Sequence, residues 1–206
     1  KIPCLFSKAF LDVTPLGNED CCTLLTDWDS YAAQLPKTVY MQCYETSGFV
    51  PIADFEEDSD LETAAAEGVT ASASGVQRWT EELMNFANSS SYDTHALRLK
   101  WGGSRASYTL RMPETDAMGW TLSFDIADLD DEAVEGGDYQ LVDAEILLID
   151  SGGRTASAQL SDFATVYPVL PVRTDKLDFL FGESTYRHAF STVSIPVDAF
   201  AAEEGF

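Results

Sequence analysis

Positive charge is what this sequence has least of. Lysine and arginine number 12 against 35 aspartates and glutamates, a formal net charge of −23. Affinity for phosphate comes from basic side chains, so nucleic acid and anionic membrane surfaces are poor candidates as partners, and no nucleic acid is expected. No apolar run approaches the roughly 18–20 residues that a helix needs to cross a bilayer, so no membrane insertion is expected. The opening Lys1-Ile2-Pro3-Cys4 has neither the basic region nor the long apolar region of a signal peptide, and there is no initiator methionine. The expectation is a portion of a longer precursor. Histidine is scarce: His95 and His188 are the two in the chain. There is no G-x-S-x-G elbow, H-E-x-x-H, P-loop or dinucleotide fingerprint, so no catalytic residues are assigned. Cysteine is absent after Cys43. The 4 cysteines, Cys4, Cys21, Cys22 and Cys43, have no C-x-x-C spacing and no histidine among them, which disfavours zinc. A vicinal Cys21–Cys22 bridge would strain the backbone. Free thiols and one or two disulfides both remain open.

What is present belongs to a folded chain. Hydrophobic residues make up 45% and aromatics 12%, enough for a packed core. Leu5, Phe6, Ala9, Phe10 and Val13 recur at helical spacing, and Pro15 and Gly17 end the run. A second helix is expected from Asn18 through Leu24, Leu25, Trp28 and Tyr31 to Pro36, and a strand over Thr38–Tyr44. From about Gly48 the period changes to two. Ala96–Trp101, Ser107–Met112, Trp120–Ile126, Val142–Ile149, Thr155–Leu160 and Ser191–Val197 read as strands separated by glycine and proline turns. A weak helical stretch near Glu81–Phe86 interrupts them. This pattern predicts a mainly β fold, a jelly-roll-like antiparallel β-sandwich with a short helical N-terminal appendage. Leu97, Leu99, Leu110, Leu122, Phe124, Ile146, Leu148 and Ile195 are its expected core.

Two acidic segments stand out. One carries Asp54, Glu56, Glu57, Asp58, Asp60, Glu62 and Glu67; the other runs from Asp125 to Asp138. Solvated loops account for both, since calcium wants six to eight oxygens and no EF-hand spacing is present. His95 beside Asp93, and His188 within Tyr186–Phe190, read as strand-end residues. Trp101 and Trp120 fall on apolar phases, where core packing explains them. Trp79, with Gln77, Arg78, Thr80 and Glu81 around it, is the aromatic best suited to stack on a sugar. Arg78 and Glu81 would then bond the hydroxyls. The competing reading, which core packing of aromatics near strand ends favours, makes Trp79 a plug at one end of the sandwich.

Asp54-Phe55-Glu56-Glu57-Asp58, Trp79 with Glu81-Glu82, Ala96–Trp101, Ala106–Leu110 and the closing Phe190–Phe200 together resemble galactose-binding-like jelly-roll modules, in particular those attached behind the catalytic domain of secreted bacterial α/β-hydrolases. Phe6–Asp12 resembles the last helix of such a hydrolase, and Leu35–Tyr40 the strand leading into the module. The resemblance implies a division at residues 1–47 and 48–206, a continuation beyond Phe206, and an extracellular or cell-surface location. It implies an accessory role beside an upstream hydrolase domain of the same precursor, with carbohydrate as the candidate ligand. The hydrolase nucleophile, acid and histidine would all precede Lys1. It also implies calcium as the candidate cofactor, held by Asp54 and Glu56 on one face of a first strand. The competing classes are a hydrolase fragment completed by a separate chain and a structural or adhesive surface domain. Fold analogy does not choose between them.

Overall fold

The computed structural model describes residues 2–26, 28–38, 40, 43–45, 48–56, 58, 60–85, 91–103, 105–129, 141–168, 170–172, 185–187 and 190–202. Helix α1 spans Ile2–Val13. It stops where the sequence places its stop. Pro15 cannot continue the hydrogen-bond ladder, and Gly17 sits at φ 64° and donates its N–H to Val13 O at 3.1 Å, a left-handed cap. The expected second helix is broken into a 3₁₀ turn at Glu19–Cys21, the short helix α2 at Cys22–Thr26, and a second 3₁₀ turn at Trp28–Tyr31. Ala9, Leu24, Leu25 and Leu35 form a small core here, with Phe6, Val13, Tyr31, Tyr40 and Tyr44 against it. The strand expected over Thr38–Tyr44 is not formed: its described residues, 38, 40, 43 and 44, lie outside any strand. Tyr40 bonds back to Pro36 O at 3.0 Å and packs on Phe6, so local helical packing outweighs β propensity. All four cysteines are free thiols.

The regular elements that follow are strands, apart from 3₁₀ turns at Leu160–Asp162 and Val197–Ala199. Strands β1 (Thr70–Ser74), β2 (Arg78–Asn85), β3 (Ser91–Lys100), β4 (Ser107–Arg111), β5 (Thr121–Ile126), β6 (Glu145–Ile149), β7 (Thr155–Gln159), β8 (Leu170–Val172), β9 (Thr185–Arg187), β10 (Ser191–Pro196) and β11 (Ala201–Ala202) all pair antiparallel. The ladders are β1–β4, β2–β3, β5–β10, β8–β9 and β11–β7–β6. The weak helical stretch at Glu81–Phe86 is instead strand β2 as far as Asn85. Its register against β3 leaves no room for a 3.6-residue period.

The two best-packed ladders form a sandwich. Leu122, Phe124 and Ile126 from β5, with Val193 and Ile195 from β10, meet Ile146 and Leu148 from β6 and Ala156 and Ala158 from β7. Leu160, Val166 and Phe200 complete this core, in which Val193 and Ile195 have no exposed surface. Alternation puts Leu147, Ile149 and Asp125 on the outer faces. The fold is therefore mainly β, antiparallel and sandwich-like, with a short helical N-terminal appendage. The expected core holds in part: Ile195 is buried, Leu97, Leu99, Leu122, Phe124, Ile146 and Leu148 are half-buried, and Leu110 is exposed. Leu110 pairs with Ala71, whose small side chain offers little to cover it. Cys43 and Tyr44 join the helical end to β10. The Cys43 thiol donates to Phe190 O at 3.5 Å, and the Tyr44 N–H donates to Thr192 Oγ1, which itself donates to Asp125.

Candidate functional site

The sequence-predicted site residues gather on and beside the β2–β3 hairpin, though not as expected. Register pairs Arg78 with Lys100, Trp79 with Leu99, Thr80 with Arg98, Glu81 with Leu97 and Glu82 with Ala96. Directly opposed residues share a face and alternate residues change face. Trp79 and Glu81 thus lie on the face of Leu97 and Leu99, and Arg78 on the other. The Trp79 ring is half-buried and meets Tyr108 of β4 edge-on, with centroids 6.2 Å apart. Its Nε1 is buried without a hydrogen-bond partner. The apolar phase claims Trp79, which is the geometry of the plug. Arg78, pointing the other way, is not placed to share a sugar with it.

On Arg78's face the polar groups interlock. Arg78 bonds Glu82 and also donates through Nε to Thr80 Oγ1 at 3.3 Å. Thr80 Oγ1 donates to Glu82 at 2.6 Å, and Arg98 Nη1 approaches the other Glu82 oxygen at 3.2 Å. The Thr80 hydroxyl first, then Arg98 and Arg78, hold the Glu82 carboxyl below its ordinary pKa.

The second constellation lies at the other end of β3. Glu56 accepts from the Thr94 hydroxyl at 2.5 Å and from the His95 N–H at 2.6 Å, and its other oxygen lies 2.9 Å from His95 Nδ1. Those hydrogen bonds, Thr94's first and then His95's, pull the Glu56 pKa down to about 2. The calcium expectation placed Asp54 and Glu56 on one strand face. The described residues around them form no strand, and Phe55 between them has φ 63°. Asp54 Oδ1 accepts the Glu56 N–H at 3.2 Å, closing a turn, while Glu56 reaches across to β3. Asp58 and Asp60 close similar turns on Asp60 N and Glu62 N. Among the described residues no group of three or more histidine, cysteine or acidic side chains converges as a metal cage. His95 lies inside β3 rather than before a strand, a position that the Glu56 pairing explains and the sequence did not signal. His188 lies outside the described residues.

The helical end contributes an apolar groove of about 520 Å³ lined by Phe6, Phe10, Leu11, Leu25, Cys43 and Tyr44. Desolvation of the Cys43 thiol, and then the nearby Asp125 carboxylate, raise its pKa, which keeps it protonated and a poor nucleophile. No protein-family model, curated protein or solved structure matches the chain.

Proposed function

We propose that this chain is a non-catalytic accessory module of a larger secreted protein, and that its helical end packs against a hydrolase domain. The observation that carries the reading is the apolar surface of α1. Phe10 is 49% exposed and Leu11 57%, and both line the groove with Leu25 and Tyr44; Leu16, just past the helix, is 73% exposed. Contiguous apolar patches of this kind mark surfaces made to be covered. The helix packs in a small core against Tyr44, whose backbone N–H bonds Thr192 of β10. The resemblance of Phe6–Asp12 to a terminal hydrolase helix points the same way. Carbohydrate recognition enters as a further task of the module, but not through stacking on Trp79.

The test compares the chain alone with a longer protein that includes the coding sequence immediately upstream. Hydrogen exchange should show α1 more protected in the longer protein, and Leu11→Asp should abolish the difference. Equal protection of α1 in both would overturn the reading. The isolated chain should give no turnover on chromogenic esters or glycosides. Turnover lost in His95→Ala would show an enzyme instead.

A further inference from the structure

The outward face of β2–β3 concentrates positive charge in a chain that has little. Arg78 and Lys100 are directly opposed across the strands, and Arg98 lies one pair along, opposite Thr80. Like charges directly opposite one another destabilise a ladder. With 35 acids in the chain, a carboxylate to separate them would be easy to supply, yet Arg78 and Arg98 share the single Glu82 and Lys100 is paired with no described carboxylate. Lys100 is exposed and makes no ion pair among the described residues. The Arg78 and Arg98 side chains are 46% and 39% exposed, so the cluster is open to a ligand. Glu82 engages Arg78 through Nη2 and Arg98 through Nη1, and Thr80 takes Nε of Arg78. A guanidinium carries five N–H donors, so each arginine retains donors beyond these contacts.

We propose that the Arg78–Arg98–Lys100 face is a binding site for a single carboxylate or sulfate group carried on an otherwise neutral ligand. Glu82 orients the two guanidinium groups rather than filling the site. Held below its ordinary pKa, it stays ionised and keeps them in place. Two guanidinium groups and an ammonium on neighbouring strands suit the paired oxygens of one such group. The restriction to one anionic group follows from the rest of the molecule. Charges beyond about 8 Å are largely screened at physiological salt, so the local cations govern one bound group. A long polyanion would extend into the field of the other acids and be repelled. The site is independent of the helical end, and its failure would leave the accessory reading untouched.

The test titrates the whole chain with galacturonate, which carries one carboxylate, inorganic sulfate and neutral galactobiose, read by backbone amide shifts along 78–82 and 96–100. Either anion should shift those amides saturably, and galactobiose should not. Lys100→Gln should weaken binding roughly tenfold, the size of one charge-assisted hydrogen bond, while leaving the melting temperature unchanged or higher. Arg98→Met should weaken it at least as much. A response to sulfate alone assigns a sulfated ligand, and to galacturonate alone a carboxylated one. No saturable shift with either anion overturns the proposal, as does binding that survives both substitutions, or equal binding of galactobiose. Should Arg98→Met fail to fold, Lys100→Gln decides alone, since Lys100 is exposed.

Discussion

At the scale of single residues, the hairpin side chains do structural jobs that their sequence neighbourhoods conceal. Trp79 sits among Gln77, Arg78, Thr80 and Glu81, a run that reads as polar. Only the pairing with Leu99 and Leu97 shows that every second residue faces an apolar layer. Glu81 hides the alternation because it occupies an apolar-phase position. Trp79→Ala should cost roughly 2–3 kcal/mol, less than the ~3–5 of a fully enclosed aromatic, because the ring is half-buried. Trp79→Phe should cost under about 1 kcal/mol, since it also removes a buried, unpartnered N–H. Urea denaturation distinguishes the two. A loss near zero for Trp79→Ala would mean that the ring is not a plug. Glu56 gives a pH signature. Its pKa falls from 4.5 to about 2 on folding, so its contribution is complete above pH 4.5 and is lost as pH falls towards 2. Glu56→Gln should therefore lower stability at pH 7 and flatten the decline over that window. An unchanged slope would show that the Thr94 and His95 contacts do not persist in solution.

At the scale of elements, legibility followed how much of the signal was local. Strands β3 to β7 and β10 came from two-residue alternation bounded by glycine and proline, and the end of α1 came from Pro15 and Gly17. Strand β1, with its Thr-Ala-Ser-Ala-Ser run, was missed because small residues give no hydrophobic contrast. The 3₁₀ breaks after residue 18 were missed because Leu24 and Leu25 keep helical spacing while the backbone turns. The Glu56 contact with β3 spans a separation of 39 residues, which no window sees. Two glycines test the turns. Gly17 has open space where a side chain would project, so Gly17→Ala should cost only the left-handed penalty of about 1 kcal/mol. Gly75, at φ 68°, has Arg105 O at 2.5 Å from where a Cβ would stand, so Gly75→Ala should cost at least twice as much. Equal losses in thermal unfolding would contradict the close approach between the end of β1 and the start of β4.

At the scale of the whole molecule, two opposing consequences of acidity set the pH of greatest stability. The net charge of −23 destabilises the compact state by self-repulsion. Protonating carboxylates relieves it, so at low ionic strength stability should rise as pH falls from 7 towards about 5. Four of the described carboxylates work the other way. Glu56, Glu82, Asp143 and Asp150 are held below their ordinary pKa values, chiefly by hydrogen bonds from Thr94, Thr80, Gln159 and Arg154 respectively. A depressed pKa means a contribution present above the unfolded value and lost below it, so these four oppose acid only once pH passes below 4.5 for the glutamates and 3.8 for the aspartates. Salt separates the two effects. Repulsion between exposed charges acts over distances that physiological salt screens, whereas hydrogen bonds to a carboxylate are short and screened little. Denaturation midpoints measured from pH 7 to pH 3 should therefore peak between about pH 4.5 and 5.5 in dilute buffer. Added sodium chloride should raise the neutral limb and leave the acid limb in place. A midpoint that falls steadily from pH 7 at low salt, or an acid limb that salt abolishes, would mean that local pairing rather than the net charge dominates throughout.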